Sequence, residues 1–361
     1  MSAKAVVIGG GGSIGQELVG FLSRNEPELQ ILAVGRSLDK LSRMQDLYGG
    51  NVNIQILDCS DPSAVRNVLQ GSDIVCNCAG PSAIMGGSIA RESLRAGIPY
   101  ADPSDSRSMQ VVFENNEIGH ITTPALFGAG VVPGLSGVVP LWFEQHINSD
   151  GGPWSKMDIY YVGKDEFSSA AAYDYAESVR MAALSETEPA KPYFIDVPVF
   201  GQTFFAFAHK SEEHSRINCQ MHIPFSYHNC FIGEHMLRAL GTIGGRQGAG
   251  LSLDDAAVIL REASQACVNQ YGKGHSFLCR AERSDGLVDS LTVFIEDVNV
   301  LMGTTMGLSA QALLRGKVSG AHYFAEALDA AEVISELKHY GCICVVGLDN
   351  SFYDQSQKKE L

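Results

Sequence analysis

The sequence has few charged residues, and positive charge is the scarcer sign. Charged side chains make up 19% of the 361 residues, with 26 Lys and Arg against 41 Asp and Glu, so the formal net charge is −15. Nucleic acid and anionic membranes repel such a surface, and we expect neither as a partner. Long hydrophobic runs are also lacking, since none approaches the roughly 18 apolar residues that can span a bilayer. The opening residues, MSAKAVVIGG, indicate the entry to a strand rather than a signal peptide. We therefore expect a soluble, cytoplasmic protein.

The nine cysteines lack the spacing of a metal site. No two of them form C-x-x-C, and no pair of histidines accompanies them. Cys76 with Cys78 and Cys342 with Cys344 lie in apolar segments that predict strands, where cysteine usually acts as a small hydrophobic residue. We predict no metal.

A glycine-rich turn follows the first apolar run of the chain. Residues 5–8 are typical of a buried parallel strand, and residues 16–22 resume with apolar residues at helical spacing. The turn between them fits G-x-G-x-x-G, in which the glycines make a tight turn, admit a pyrophosphate and let the helix pack on the strand. A glycine-rich turn alone often marks only a turn, but strand, loop and helix follow here in the order that the motif needs. Because a helix N-terminus holds phosphates, we predict a dinucleotide site at Gly10, Gly12, Ser13, Ile14 and Gly15.

The next two predicted strands end in residues that select the cofactor. Dinucleotide-binding folds that prefer NAD place an acidic residue about 20 positions after the glycine loop. This chain has Arg36 and Ser37 there, and a guanidinium with a hydroxyl can hold a 2′-phosphate, although Arg36 also fits an ordinary surface arginine. Asp58 and Cys59 follow the third strand, where Asp58 either borders the adenine pocket or caps the next helix. NADPH is the predicted cofactor.

Four segments of the chain form a combination: the glycine loop with its Arg36 ending, NCAGP at 77–81, AGIPYADPSD at 96–105 and GAGVVPGLS at 128–136. Together they resemble the saccharopine dehydrogenase-like oxidoreductases, over roughly the first 145 residues. The resemblance implies that the first domain binds NADPH and that Ala79, Gly80 and Pro81 lie beside the nicotinamide. It also implies an α/β fold, with a Rossmann doubly wound parallel sheet and an inserted α+β domain built mainly on an antiparallel sheet.

The rest of the chain predicts the insertion and a return to the first domain. We expect a dinucleotide-binding domain over 1–150, a substrate or dimerisation domain over 151–298 and returning helices over 299–361. In the insertion, residues 193–200, 203–209 and 216–226 predict antiparallel strands, and 277–298 predict a hairpin. An exposed apolar sheet is usually covered by another protein surface, so we also expect a homodimer.

Reduction of a C=N bond suits this scaffold and needs a general acid near the nitrogen. Tyr173 follows the first strand of the second domain, where the resemblance implies a substrate site, but its Ala-rich helix equally predicts packing. Asp102 follows the fifth strand, where it either serves the chemistry or fixes a loop.

Lys164 and His222 are two further candidates, with charged or titratable side chains. Lys164 and Asp165 end a predicted strand, where a solvated ion pair is the plainer interpretation. His222 falls in a predicted strand and titrates near neutrality, although a strand histidine is more often structural. Tyr271, Lys273 and His275 form a Y-G-K-G-H loop that resembles a Tyr/Lys acid pair but is rich in glycine.

Three functions remain open from the sequence. The family's opine-type members carry a Gly-Gly-Leu-Pro turn, and this chain has VGKDEF at 162–167 in its place; its insert is also rich in aromatic residues. This pattern resembles the thiazoline reductases of enantio-pyochelin-type siderophore biosynthesis, which act on an imine tethered to a carrier protein. The alternatives are an opine-type amino-acid dehydrogenase (saccharopine- or carboxynorspermidine-like) and a non-catalytic NADPH-binding regulator. The opine hypothesis needs arginines that converge on two carboxylates, among Arg180, Arg216, Arg238 and Arg246.

Overall fold

A computed structural model describes residues 2–114, 122–148, 154–184, 191–245, 248, 250–352 and 359–360. The chain divides into two compact units. Unit 1 comprises Met1–Leu135 and Asp297–Cys342, and unit 2 comprises Ser136–Glu296 and Ile343–Leu361. The first limit lies earlier than the expected boundary at 150, because the helix that begins at Leu135 groups with unit 2 from Ser136 onward. The limit after Glu296 lies close to the expected boundary at 298, and the strand that begins at Ile343 also groups with unit 2.

The strands in chain order are β1 Lys4–Ile8, β2 Gln30–Gly35, β3 Val52–Ile56, β4 Ile74–Asn77, β5 Tyr100–Ala101, β6 Ala125–Phe127, β7 Trp154–Lys164, β8 Tyr193–Val197, β9 Gln202–Ala208, β10 Phe225–Phe231, β11 Gly274–Arg283, β12 Leu287–Ile295, β13 Ala321–Tyr323, β14 Ile343–Phe352 and β15 Lys359–Glu360. The α-helices are α1 Ser13–Asn25, α2 Leu38–Tyr48, α3 Pro62–Leu69, α4 Ser82–Arg95, α5 Arg107–Glu114, α6 Leu135–Asn148, α7 Ser169–Leu184, α8 Glu212–Gln220, α9 Glu234–Gly244, α10 Leu253–Tyr271, α11 Val298–Leu314, α12 Phe324–Ala327 and α13 Ala330–His339. A 3₁₀ turn, Pro198–Phe200, joins β8 to β9.

Unit 1 contains a seven-stranded sheet in the order β13-β6-β5-β4-β1-β2-β3. Every neighbouring pair is parallel. Such sheets are covered on both faces, which explains why Val6, Val7 and Ile8 of β1 are wholly buried. The strand order reverses between β1 and β4, and ligands of doubly wound sheets bind at the carboxyl ends of the strands at that reversal. The predicted Rossmann sheet is confirmed.

The returning helix α11 packs closely on α1 within unit 1. A Cβ atom on Gly303 would lie 2.3 Å from the Glu17 Cβ, and one on Gly307 would lie 2.1 Å from the Phe21 ring. The two glycines therefore let the helices approach more closely than any side chain would permit. This helix, Val298–Leu314, is the first of the returning helices expected over 299–361.

Unit 2 contains an eight-stranded sheet in the order β14-β12-β11-β7-β10-β9-β8-β15. Only the β7–β10 pair among these neighbours is parallel, so the sheet is mainly antiparallel, as predicted. One face packs on α7, α9 and α10 through a cluster that includes Phe205 and Phe231. The opposite face carries a second cluster that includes Tyr160 and Phe204. Most of the aromatic residues in the insert are therefore core residues.

The predicted strand over 216–226 is wrong, because residues 212–220 form α8. Ser211 caps this helix, and its Oγ accepts a hydrogen bond from the His214 backbone N–H at 3.2 Å. Glu212 and Glu213 lie in the first turn, where negative charge favours the helix dipole. The strand begins only at Phe225.

Candidate functional site

The glycine loop lies at the carboxyl end of β1, at the reversal point of the unit 1 sheet. Gly9 turns the chain with a φ of +77°, and the Gly12 N–H donates to the Gly9 carbonyl at 2.8 Å. A Cβ on Gly15 would lie 2.2 Å from that carbonyl oxygen, so only glycine fits there. Gly12 is the N-cap of α1 and has no side chain to cap the first-turn N–H groups. The loop therefore leaves the N–H groups of Ser13 and the residues after it for an anion.

The segment after β4 lies directly against this glycine loop. The Cys78 N–H donates to the Ile8 carbonyl at 2.7 Å, and a Cβ on Gly9 would lie 2.6 Å from the Ala79 nitrogen. Pro81 is the N-cap residue of α4. Ala79, Gly80 and Pro81 thus lie beside the loop predicted to hold the pyrophosphate, and the nicotinamide contact implied for them stays a prediction.

Asp102 holds the ends of neighbouring strands together. Its carboxylate is 1% exposed and accepts hydrogen bonds from Tyr100 Oη at 2.6 Å, Asn77 Nδ2 at 2.7 Å and the Ser104 N–H at 2.8 Å. The same Asn77 side chain accepts from the Ala79 N–H at 3.0 Å. Asp102 therefore positions the segment beside the glycine loop. Of the two roles considered from the sequence, chemistry or fixing a loop, these hydrogen bonds agree with the second.

Arg36 and Ser37 lie at the carboxyl end of β2, and both are exposed. Ser37 is the N-cap of α2, and its Oγ accepts from the Lys40 N–H at 3.5 Å. Hydrogen bonds from Ser60 are the main cause of the lowered pKa of Asp58, and the charge of Arg36 adds to them. A guanidinium and a helix N-terminus therefore lie together where a dinucleotide's ribose is expected.

Asp58 does not cap the next helix. It accepts from the Ser60 N–H at 3.0 Å, and this bond is the first cause of its lowered pKa. The cap of α3 is Asp61, which accepts from the Ser63 N–H at 2.9 Å. The neighbouring Cys59 is buried, which raises the pKa of its thiol to about 11 and keeps it neutral.

Tyr173 lies on α7 within unit 2, partly buried against the cluster around Phe205 and Phe231. This placement agrees with packing and leaves its role as a proton donor a prediction.

Lys164 and Asp165 do not form the expected solvated ion pair. Lys164 is 8% exposed and its Nζ donates to Gln202 Oε1 at 2.9 Å and to the Tyr271 carbonyl at 3.3 Å. The same Nζ lies 4.1 Å from the centre of the Phe200 ring. Burial lowers the pKa of Lys164. These contacts occupy the ammonium group, so Lys164 ties β7 to β9 and to the end of α10.

His222 lies in the connection between α8 and β10 rather than in a strand. Its side chain is 88% exposed, with Nδ1 3.6 Å from Glu144 Oε2. The buried Glu144 accepts from the backbone N–H groups of His222 and Ile223 at 2.9 and 2.7 Å. The carboxylate therefore anchors the backbone of this connection, while the imidazole remains in solvent.

Tyr161 is not among the site residues predicted from the sequence, and its hydroxyl lies 3.0 Å from His275 Nδ1. His275 Nε2 lies 3.5 Å from Asp165, and Asp165 pairs with Lys273 at 2.8 Å. Only the Y-G-K-G-H loop pointed toward this arrangement, because Tyr161 comes from the distant strand β7.

The arginines that could hold two carboxylates have local partners on separate helices. Arg180 of α7 donates to the carbonyls of Gly248 and Leu251. Arg216 of α8 pairs with Glu212, and Arg238 of α9 pairs with Glu234. Arg246 lies outside the described residues.

The described part of the chain contains neither a metal-binding cluster nor a helix that could cross a membrane. Its His, Cys, Asp and Glu residues form no group of three or more that could hold a metal ion. Within the same residues, no helix has both the length and the apolar character needed to cross a membrane.

A family model matches the first part of the chain. Residues 5–120 match the family model described as the saccharopine dehydrogenase NADP binding domain. This segment contains the glycine loop, Arg36 and the segment after β4. A comparison with curated proteins gives no match.

Two solved structures are similar to the chain at low sequence identity. The apo saccharopine dehydrogenase (L-Glu forming) from Saccharomyces cerevisiae has a TM-score of 0.63 and 13% identity, over 96% of this chain and 100% of that one. A myo-inositol dehydrogenase from Corynebacterium glutamicum has a TM-score of 0.49 and 11% identity, over 96% and 99% of the two chains. The chain thus has the fold of a saccharopine dehydrogenase, and its residues 5–120 match an NADP-binding domain.

Proposed function

We propose that this protein is an NADPH-dependent reductase of a C=N bond. The observation that carries the proposal is the glycine loop of an NADP-binding domain packed against the segment after β4, on a chain with the fold of a saccharopine dehydrogenase. Because Gly12 and Gly15 have no side chains, a pyrophosphate can approach the backbone of the loop. The guanidinium of Arg36 can hold a 2′-phosphate.

The residues of this chain have separable tasks in such a reaction. NADPH, when bound, supplies a hydride to the imine carbon. The N-terminus of α1 and Arg36 hold its phosphates, and Asp102 with Asn77 fixes the segment beside the glycine loop. A proton must reach the imine nitrogen from a protonated side chain or water.

We further propose a cyclic imine, with a thiazoline on a carrier protein as the first substrate to test. Two observations support it over an opine-type reaction. The chain lacks the Gly-Gly-Leu-Pro turn at 162–167, and the described candidate arginines have local partners instead of a shared site. The buried aromatic residues of the sheet add no support, because they pack in its cores.

The test is NADPH oxidation, followed by the loss of its near-ultraviolet absorbance, with two substrate sets. One is an aryl-thiazoline presented as a thioester, and the other is an amino acid paired with a 2-oxo acid or an aldehyde. We expect oxidation with the thiazoline alone. Oxidation only with the amine–carbonyl pair would establish the opine-type alternative. If neither set causes oxidation although NADPH binds, the result would favour a non-catalytic NADPH-binding regulator.

Arg36 tests the choice of cofactor. We expect Arg36→Ala to raise the Kd for NADPH by about 10- to 100-fold, because the lost charge-assisted hydrogen bonds are worth about 1.5–3 kcal/mol. The Kd for NADH should change by less than about twofold, because NADH has no 2′-phosphate for the guanidinium to hold. Fluorescence titration of both cofactors measures this.

Arg43→Ala is the matched control for Arg36, since Arg43 is exposed on α2 and its loss changes the net charge equally. It should leave both constants unchanged. An equal loss of NADPH and NADH affinity in Arg36→Ala would remove Arg36 from the 2′-phosphate site.

A further inference from the structure

Two basic side chains, Arg36 and Lys40, border the glycine loop of unit 1. Arg36 follows β2 directly, and Lys40 lies in the first turn of α2. A Cβ atom on Gly11, in the middle of the loop, would lie 3.2 Å from the Cβ atom of Lys40. The side chain of Lys40 therefore starts against the loop that is expected to hold the dinucleotide.

The end of β2 meets the loop at the same place. A Cβ on Gly35 would lie 3.8 Å from the Gly11 nitrogen, and a Cβ on either glycine would lie 3.7 Å from Leu41 Cδ2. Leu41 is wholly buried, so it fixes the first turn of α2 against β2 and the loop. Arg36 follows Gly35 directly, and Lys40 directly precedes this buried anchor. Packing therefore holds both basic residues at one edge of the loop.

The ammonium group of Lys40 is available to a ligand. The residue is exposed, and within the described part of the chain its Nζ takes part in no hydrogen bond or ion pair. Its backbone N–H alone is bonded, to Ser37 Oγ at 3.5 Å. Asp39 precedes it in the same turn, but consecutive residues of a helix do not face each other. The positive charge of Lys40 is therefore not cancelled by a neighbour.

The charge of Arg36, in contrast, is shared with a carboxylate. Hydrogen bonds from Ser60 are the main cause of the lowered pKa of Asp58, and the charge of Arg36 lowers that pKa further. Asp58 is thus ionised at neutral pH and offsets part of the positive charge beside it. A phosphate monoester carries about 1.5 to 2 negative charges near pH 7. A second cation at this edge would balance the remaining charge.

We propose that Lys40 is a second ligand of the 2′-phosphate of NADPH and that it selects NADPH over NADH together with Arg36. This inference rests on the proposed function, of which it needs only the cofactor. Arg36 offers a planar guanidinium for paired hydrogen bonds, whereas Lys40 supplies a point charge on a flexible stem. Gly11 leaves room for that stem, since a side chain at position 11 would meet its first carbon.

Fluorescence titration of Lys40→Met and Lys40→Arg with NADPH and NADH tests the proposal. Methionine keeps an apolar stem and removes the charge. We expect Lys40→Met to raise the Kd for NADPH by about tenfold, because a charge-assisted hydrogen bond is lost. Its Kd for NADH should change by less than about twofold, since NADH has no 2′-phosphate. Lys40→Arg keeps the charge and should bind NADPH within about threefold of wild type.

Two fragments of the cofactor isolate the phosphate. Adenosine 2′,5′-bisphosphate carries the 2′-phosphate, and adenosine 5′-monophosphate lacks it. Wild type should bind the first about tenfold or more tightly than the second. The double variant Arg36→Ala/Lys40→Met should bind both equally, because neither cation remains. Neither fragment contains a nicotinamide, so this measurement is independent of hydride transfer.

Lys317→Met is the matched control for Lys40→Met. Lys317 is exposed in unit 1, between α11 and β13, and its loss changes the net charge equally. This variant should keep the wild-type Kd for both cofactors. Both methionine variants should keep the wild-type Tm, because both lysines are exposed.

The outcomes separate the role of Lys40 from the function beneath it. An unchanged Kd for NADPH in Lys40→Met, or an equal rise for NADPH and NADH, overturns that role and leaves the C=N reductase standing. Binding of NADPH by Lys40→Arg as weak as by Lys40→Met overturns it as well, because charge would not then hold the ligand. If the titrations give the expected pattern while wild type oxidises NADPH with neither substrate set, the proposed reaction fails and the role of Lys40 stands.

Discussion

Replacing Gly15 with alanine is expected to destabilise unit 1 and to weaken NADPH binding, whereas alanine at Gly12 should weaken binding without destabilising the unit. A Cβ at Gly15 would lie 2.2 Å from the Gly9 carbonyl and 2.7 Å from the Gly10 Cα atom. Both are backbone atoms, so the loop must move, at a cost of about 3 kcal/mol or more. Thermal unfolding should show a Tm several degrees lower in Gly15→Ala.

The Gly12→Ala variant isolates the contact with the ligand. Its Cβ would meet only the Gly9 carbonyl oxygen, at 3.2 Å, and its φ of −79° suits any residue. The methyl group would nevertheless occupy the space through which a pyrophosphate reaches the loop. We expect the Tm without cofactor to change by less than about 2 °C and the Kd for NADPH to rise by about 100-fold.

Gly50→Ala is the control, because Gly50 lies in the same unit and a Cβ at this position would have no atom within 4 Å. It should keep both the wild-type Tm and the wild-type affinity. NADPH binding by Gly15→Ala at wild-type affinity would show that the phosphates lie elsewhere.

The sequence predicts best those features that depend only on a short, contiguous stretch of the chain. The glycine loop needs only residues 5–22, because the strand, turn and helix that define it are contiguous. The hairpin of β11 and β12 is equally local, with its turn at Asp285-Gly286, where Gly286 has a φ of +85°. Local structure of this kind depends on backbone preferences that neighbouring residues set.

The features that the sequence does not predict depend on contacts between residues that are far apart along the chain. Lys164 has the charge of a surface residue, yet its partners Gln202 and Tyr271 lie 38 and 107 positions away. Tyr161 and His275 are 114 positions apart and meet only because β7 pairs with β11. Strand order in a large sheet is not encoded in any single segment, so neither pairing can be inferred from the sequence pattern.

The wrong prediction at α8 has a different cause, because a local helix signal is present. Ser211 followed by two glutamates is a typical helix start, and residues 212–220 are poor in the β-branched and aromatic residues that strands favour. The aromatic strands on both sides favour a third strand between them. In the folded chain residues 212–220 form the helix that Ser211 caps, and they do not extend the antiparallel sheet.

His214 is expected to make the protein unstable in acid. Its side chain is 4% exposed, and its ring lies 4.2 Å from the ring of Tyr227. Neither ring nitrogen has a hydrogen-bond partner among the described residues. Nε2 lies 3.9 Å from the buried Glu213, too far for a hydrogen bond, while Ser136 Oγ donates to that carboxylate at 2.7 Å. Burial, followed by the charge of His209, therefore lowers the pKa of His214 to about 3.

The sign of the effect follows from where the proton binds. An unfolded histidine titrates near pH 6.5, whereas folded His214 stays neutral down to about pH 3. Between these values the unfolded chain binds the extra proton, so folding stability is fully present above about pH 6.5 and falls as the pH decreases toward about 3. The loss is on the order of 5 kcal/mol.

The variant His214→Phe keeps an aromatic ring against Tyr227 and removes the titration, so its free energy of unfolding should fall less between about pH 7 and about pH 4. Urea unfolding across this range measures the difference, with His235→Phe, at an exposed histidine of α9, as the control. Parallel pH curves for wild type and His214→Phe would assign the acid lability to other groups. A shallower curve for His214→Phe alone would show that this one uncharged ring, held without a polar partner among the described residues, sets the lower pH limit of unit 2.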